Sequence, residues 1–292
     1  MNWLAGFEKI VRSDEPLAMH TWFQLGGPAE FFAEPRSLEE LAALVQRCQE
    51  QQVPLRVLGR GSNILVRDEG VRGVVVQLTA GVFRQIQVQG EEITAGGGAR
   101  LGRVVTTAVH QGLAGLEPLV AIPGSVGGAL HTNAGAVGAD IGQWTAAATA
   151  MTETGEIVHR TGDELVFGYR QSSLDEPIIL EARFRLEPDD PRELAQRLQK
   201  LWILKKAKQP MGHQSAGYIF KDPPGLSAGE LIEQAGLKGT RIGGAVVCDR
   251  NPNFLIAEPE CTAQDVLRLI DLLREQVRDR LGIELELGLE IW

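Results

Sequence analysis

Residues 55–66 read LRVLGRGSNILV, in which two short apolar runs enclose a loop of glycine and polar residues. The runs 55–58 and 64–66 have the length and character of strands. Glycine permits positive φ and close approach of the backbone to a ligand, and successive N–H groups in such loops form nests for phosphate oxygens. Residues 55–66 therefore indicate an α/β lobe whose glycine loop is either a phosphate site or a structural turn.

A second glycine loop follows at 121–129, AIPGSVGGA, and continues as HTNAGA at 131–136. It again places hydroxyl and amide groups among glycines, and the two loops together suit a diphosphate and an extended nucleotide. Neither loop has the Walker spacing, and the glycines at 96–98 lack the spacing and acidic partner of a dinucleotide fingerprint. The chain has 34 glycines, so structural turns remain the alternative.

The elements around these loops divide the chain into three predicted parts. Residues 29–34 read as a strand, and Ser37 with Glu40 predicts a capping box at the start of a helix. Three further segments have helical spacing or length, and residues 283–291 read as a final strand. These helical segments are 101–111, 192–208 and 262–281. The predicted domains are 1–78 and 79–190, two lobes of one module, and 191–292 after an acidic linker.

Composition narrows the class of protein. The net charge of −9 argues against a nucleic-acid partner, which would need a surplus of Lys and Arg on one face. Three widely separated cysteines predict neither a disulfide framework nor a metal site. No apolar run is long enough to cross a bilayer, and the start lacks the basic and apolar segments of a signal peptide. We therefore expect a cytoplasmic protein with no membrane insertion and no obligate protein partner.

Ordered motifs along nearly the whole chain resemble UDP-N-acetylenolpyruvoylglucosamine reductase, a flavoenzyme family of peptidoglycan-precursor synthesis. The absence of a long insertion places the chain with the shorter subtype. The motifs that carry the resemblance lie at 16–21, 26–29, 57–66, 121–129, 133–136, 167–172, 209–210, 215–217, 220–223 and 228–245.

The resemblance implies an α+β protein with a two-lobe FAD-binding module of the vanillyl-alcohol-oxidase (PCMH) type and a smaller α+β substrate domain. It implies FAD and NADPH as cofactors and a UDP-sugar as substrate. FAD is expected to bind at twelve residues: Gly59, Arg60, Gly61, Ser62, Asn63, Pro123, Gly124, Ser125, Gly127, Gly128, Asn133 and Gly135.

In the family, hydride passes from NADPH to FAD and then to the enolpyruvyl double bond, and the carbanion is stabilised as an enolate and protonated. Arg170 matches the catalytic arginine, whose planar guanidinium suits a carboxylate or enolate. Tyr169 and Lys221 fall in neighbouring motifs and are expected to bind substrate. These assignments follow from the resemblance.

Three positions in the C-terminal part depart from the family. Tyr218 stands where the family has a Ser or Cys proton donor; a phenol is the stronger acid, but its oxygen lies further from the backbone. Gly288 replaces a catalytic Glu, and Glu286 is the neighbour that could substitute for it or remain a solvated edge residue. Residues 251–254 read NPNF, whereas the family has His-Ala-Asn-Phe at this segment.

These departures leave three hypotheses open. The first is a reductase that uses Arg170, Tyr218 and Glu286. The second is an FAD- or nucleotide-sugar-binding protein that has lost turnover. The third is a flavin oxidase or dehydrogenase with another substrate.

Overall fold

The chain contains both helices and strands, and its computed structural model describes residues 3–136, 138–208 and 218–292. The helices of these ranges are α1 (Leu38–Glu50), α2 (Leu101–His110), α3 (Val126–His131), α4 (Pro191–Lys208), α5 (Ala228–Gln234) and α6 (Ala263–Leu281). The strands are β1 (Val11–Pro16), β2 (Pro28–Ala33), β3 (Leu55–Val57), β4 (Ile64–Leu65), β5 (Val71–Val76), β6 (Ile86–Gln89), β7 (Glu92–Gly96), β8 (Leu113–Ala114), β9 (Gly135–Ala136), β10 (Ala139–Asp140), β11 (Thr145–Met151), β12 (Ile157–Thr161), β13 (Phe167–Gly168), β14 (Gln171–Ser172), β15 (Ile178–Arg185), β16 (Glu187–Pro188), β17 (Arg241–Ile242), β18 (Ala245–Val247), β19 (Leu255–Ala257) and β20 (Glu290–Ile291).

The chain packs into two units, each assembled from separate segments. Unit 1 comprises Met1–Asp14, Glu30–Arg60 and Arg72–Leu204, and unit 2 comprises Glu15–Ala29, Gly61–Val71 and Lys205–Trp292. Both contain helices and strands, as the α+β class requires. The units cross the predicted boundaries after 78 and 190, and the three-part division stays a prediction. No helix in the described ranges is long and apolar enough to cross a membrane.

Unit 1 contains most of a four-stranded sheet and all of a five-stranded one. The first has the order β1-β2-β5-β3 with β3 and β5 parallel, and the second is antiparallel in the order β12-β11-β15-β7-β6. Strand β15 alternates buried and exposed residues over much of its length, as expected for a sheet with one face against a core. Helices α2 and α3 pack on this sheet through buried Val104, Val105 and Leu130.

Helix α1 confirms one half of the predicted capping box. The Ser37 hydroxyl accepts a hydrogen bond from Glu40 N at 3.3 Å. The Glu40 carboxylate, however, accepts from Arg36 N at 2.8 Å instead of from Ser37 N. The apolar spacing did identify the buried face, Leu41, Leu44, Val45 and Cys48.

Unit 2 is built around α5, α6 and the three-stranded sheet β17-β18-β19. Helix α6 begins with a complete capping box between Thr262 and Asp265, and it ends at Gly282 with φ of +71°, the left-handed conformation that favours glycine. Its first turn also donates from Ala263 N and Gln264 N to the Asp68 carboxylate. These contacts hold segment 61–71 against α6 within the unit.

The predicted continuous strand over 283–291 is wrong in extent. Leu287 forms an isolated antiparallel bridge with Phe220, and a strand begins only at Glu290, where β20 pairs in parallel with β4. The tail changes partner after Leu289, whose N–H still donates to Ile219 O at 3.2 Å, so its hydrogen bonds do not form one ladder. Alternating apolar residues alone could not reveal this change of partner.

Candidate active site

The two glycine loops predicted from the sequence meet within unit 1. A Cβ atom at Gly59 would lie 2.6 Å from Ser125 Oγ, closer than non-bonded atoms approach each other. Gly59 ends the segment after β3, and Ser125 precedes α3. A side chain at position 59 would force the Ser125 hydroxyl to move, so glycine there lets the first loop lie directly against the second.

Ser125 organises the start of α3. Its hydroxyl accepts from Gly128 N at 3.3 Å, and Gly127 N donates to Gly97 O at 2.8 Å. Gly97 itself packs directly against the Ile179 carbonyl, leaving no room for a side chain. The glycines at 96–98 are thus the tightly packed support of the second loop.

Several backbone donors at this junction have no acceptor. Within the described ranges, the N–H groups of Gly59, Arg60, Gly124 and Ser125 donate to no protein atom, although Ser125 is buried. Unpaired N–H groups at buried positions are rare in folded proteins, and several together form an anion-binding nest. These residues fit the diphosphate of a flavin nucleotide.

Charge at the junction is also suited to phosphate. Partial burial lowers the pKa of the Arg60 guanidinium, and the like charges of Arg100 and Arg84 lower it further. The junction therefore combines unpaired N–H groups with a local surplus of positive charge, which an anionic ligand would offset.

The rest of the first loop belongs to unit 2. Gly61 has φ of +62°, and its carbonyl accepts from Trp22 N at 2.9 Å, while a Cβ there would collide with the His20 carbonyl. The Asn63 amide donates to Gly288 O at 2.8 Å. Asn63 thus connects the glycine loop to the C-terminal tail, while contact of Gly61, Ser62 and Asn63 with FAD stays a prediction.

Asn133 positions the hairpin that carries Arg170. The buried Asn133 side chain donates to Gly168 O at 2.9 Å and accepts from Gly142 N at 3.0 Å. Strands β13 and β14 pair around Tyr169 and Arg170, which form the turn. The sequence predicted Asn133 as a cofactor contact; the structure shows this bridging role, and contact with the cofactor remains a prediction.

Arg170 has a left-handed backbone conformation, and its functional role stays a prediction. Its φ is +59°, a value that costs a non-glycine residue free energy and that tight turns often impose on a central residue. Neighbouring Tyr169 is 59% exposed, so its ring is accessible to a ligand. Gly135, another predicted cofactor contact, lies in β9 opposite Asp140, and Pro123 immediately precedes Gly124.

In unit 2 the structure brings Lys221 and Glu286 together. Lys221 Nζ lies 2.5 Å from Glu286 Oε1, and Lys221 N donates to Glu286 O at 2.8 Å. Glu286 is the more exposed partner, at 73% against 26% for the lysine side chain. The proposed substitute for the missing carboxylate is therefore already paired with a predicted substrate-binding lysine.

Tyr218 has a defined environment in the same unit. It is 38% exposed, and its ring centroid lies 5.3 Å from that of Phe254. Buried Asn253 accepts from Phe220 N and donates to Phe220 O, both at 2.9 Å, which fixes the segment after Tyr218. Sequence reasoning noted the NPNF segment as a departure but missed this clamp. The motif residues 209–217 lie outside the described residues.

Gly288 contrasts with the other glycines of the site. A Cβ there would lie 3.4 Å from Lys221 N and 3.6 Å from Lys221 Cγ, which are ordinary contacts. Its φ is not in the left-handed region. A side chain at position 288 would therefore be tolerated beside Lys221.

Comparison with known proteins shows which families the sequence resembles. Two family models match: an FAD binding domain over residues 29–161 and the C-terminal domain of UDP-N-acetylenolpyruvoylglucosamine reductase over 209–292. Relatives named UDP-N-acetylenolpyruvoylglucosamine reductase include one from Rhodopirellula baltica, 41% identical over 97% of this chain and 93% of the relative. Another, from Bacillus subtilis, is 39% identical over 96% and 93%.

A solved structure of the Thermus caldophilus reductase of the same name superposes with a TM-score of 0.84. It is 35% identical and covers 97% of this chain and 99% of its own. The glucose dehydrogenase Phl p 4.0202 shares the fold alone, with a TM-score of 0.50, 16% identity, and coverage of 65% of this chain and 45% of its own. The expected FAD-binding module with a further α+β domain is thereby confirmed. The chain belongs to the UDP-N-acetylenolpyruvoylglucosamine reductase family.

Proposed function

We propose that this protein reduces the enolpyruvyl ether of UDP-N-acetylglucosamine to UDP-N-acetylmuramate with NADPH, as a step in peptidoglycan-precursor synthesis. The observation that carries the proposal is the junction of Gly59 with Ser125 and its unpaired N–H groups, where a flavin nucleotide fits. Relatives with this name match nearly the full chain. The reaction belongs to the cytoplasm, where NADPH and nucleotide sugars are found.

The reaction consumes one NADPH and one proton. When bound, FAD supplies hydride transfer between NADPH and the enolpyruvyl double bond. One carbon of the double bond gains the hydride and the other gains the proton, so the C=C bond becomes a single bond and NADP⁺ is released. The protein must therefore stabilise negative charge on the substrate and deliver a proton.

Arg170 is proposed to stabilise the charge. Its guanidinium presents paired N–H donors to the substrate carboxylate, where negative charge increases as the enolate forms. Asn133 holds the hairpin through Gly168 O, so the arginine is oriented before substrate arrives. In unit 2, Lys221 is proposed to bind an anionic group of the UDP-sugar, with Glu286 keeping its ammonium in place.

Tyr218 is proposed to deliver the proton. Its contact with Phe254 and the Asn253 clamp on the next residues restrict where its hydroxyl can lie. Proton transfer requires the donor oxygen to lie close to the atom that it protonates, so a long side chain must be held in place.

Product formation tests the proposal. The purified protein, loaded with FAD, is incubated with NADPH and the UDP-enolpyruvyl sugar, and the products are identified by mass spectrometry. Under anaerobic conditions we expect UDP-N-acetylmuramate and NADP⁺ in equal amounts over many turnovers, and without the sugar no more than one NADP⁺ per bound flavin. Bound FAD without conversion of the sugar would instead support the binding-protein hypothesis, which the changes at Tyr218 and Gly288 favour.

A further inference from the structure

Three arginines surround the junction of the two glycine loops in unit 1. Arg60 follows Gly59 directly, and Arg100 lies opposite Ser125 in an isolated antiparallel bridge. Arg84 ends a 3-10 turn whose backbone packs on β7, with Arg84 N 3.0 Å from a Cβ built at Gly96. All three side chains are exposed.

The short segment 96–101 connects these positions. Gly98 N donates to Phe83 O at 2.9 Å, beside Arg84, and Leu101 N donates to Gly124 O at 3.1 Å. Hydrogen bonds thus hold the backbones at Arg84 and Arg100 together, and the packing of Gly59 against Ser125 places Arg60 beside them. The pKa of Arg60, lowered chiefly by partial burial and also by Arg100 and Arg84, agrees with this proximity.

None of the three arginines has an acidic partner in the part of the chain that the structure describes. Arg183 and Arg185 in the same unit, by contrast, both pair with Glu92. Three like charges held close together without a counter-charge repel one another, so the cluster is stabilised when an anion binds.

We propose that Arg60, Arg84 and Arg100 form a subsite for the diphosphate of the flavin nucleotide. The cluster adjoins the unpaired N–H groups of Gly59 and Ser125, which would bind the same anion. Guanidinium groups bind phosphate oxygens through paired N–H donors. These charge-assisted hydrogen bonds are stronger than hydrogen bonds from neutral donors. The inference rests on the FAD-binding part of the proposed function and adds Arg84 and Arg100 to it.

Flavin titration of the full-length apoprotein tests the subsite. Arg84→Gln and Arg100→Gln are each expected to raise the Kd for FAD about five- to tenfold, measured by quenching of flavin fluorescence. Added salt should weaken FAD binding to the wild type more than to the double variant, because salt screens exposed charges. Riboflavin, which has no phosphate, should bind the wild type and both variants equally.

Arg72→Gln is the matched control, since Arg72 is an exposed arginine at the far end of β5 from the loop. Its Kd for FAD should equal that of the wild type, and circular dichroism should show all variants folded. An unchanged Kd for FAD in both test variants would overturn the subsite and leave the proposed function standing. A rise in KM for NADPH with an unchanged Kd for FAD would also overturn the subsite, because the arginines would then bind the phosphates of NADPH instead of those of FAD. Wild-type apoprotein that binds no FAD would overturn both proposals.

Discussion

The glycines of the flavin loops and the glycine of the C-terminal tail differ in what surrounds them. Gly59 and Gly97 in unit 1 touch other atoms so closely that any side chain would force a shift. Gly288 in unit 2 has room for a side chain and no left-handed φ. Packing therefore restricts positions 59 and 97 but not position 288, where we propose that the glycine reflects a change in substrate chemistry. Four sets of variants can break or sharpen this contrast.

Arg170→Gln should have the largest effect. Removing the guanidinium takes away the donors that face developing charge, so kcat should fall about 10³-fold. Arg170 is not part of the glycine-loop junction. The Kd for FAD, measured on the same preparation of the variant, should therefore equal the wild-type value. Stopped-flow kinetics and flavin titration measure the two quantities. A large rise in the Kd would show that the hairpin supports flavin binding and not the substrate step.

Tyr218→Ser combined with Gly288→Glu tests the substrate lobe. Position 288 accepts a side chain beside Lys221, so the double variant should fold and restore the family's acid and carboxylate. We expect kcat to rise about tenfold or more, since a well-placed general acid contributes strongly to rate. Gly288→Glu alone is the control. No gain in the folded double variant would contradict the argument that Tyr218 delivers the proton more slowly than the family's serine.

Gly59→Ala tests the flavin side. The new methyl group would displace Ser125 Oγ, which accepts from Gly128 N, so the Kd for FAD should rise about tenfold. Adding Ser125→Ala removes the clash, because Ser125 Cβ lies 3.7 Å from the new atom, and should recover part of the affinity. Gly102→Ala, where the space is open, is the control. Equal affinity in Gly59→Ala and wild type would refute the packing requirement.

Lys221→Met should change stability least. Glu286 is largely exposed and solvent screens its attraction to Lys221, so loss of the pair should cost under about 1 kcal/mol in urea unfolding. The KM for the UDP-sugar should rise, because the ammonium is proposed to bind an anionic group. Glu286→Gln is the companion variant, with the same small stability change. A KM unaffected by either substitution would make the pair a surface feature with no part in binding.

Local patterns predicted much of this fold. Helices α1, α2, α4 and α6 lie close to where apolar spacing and caps indicated them, because these signals depend on neighbouring residues. The junction of Gly59 with Ser125, the Asn133 bridge to the Arg170 hairpin and the Asn253 clamp were not predicted. Each joins residues distant in the sequence, and no local periodicity encodes such contacts.

The most direct test of the account separates the two half-reactions. The FAD-loaded protein is mixed anaerobically with NADPH, and the reduced protein is then mixed with the UDP-enolpyruvyl sugar while flavin absorption is followed. We predict that NADPH bleaches the flavin and that the sugar restores its absorption. Bleaching without recovery would contradict the proposed reaction and leave a flavoprotein whose substrate lobe has lost this activity.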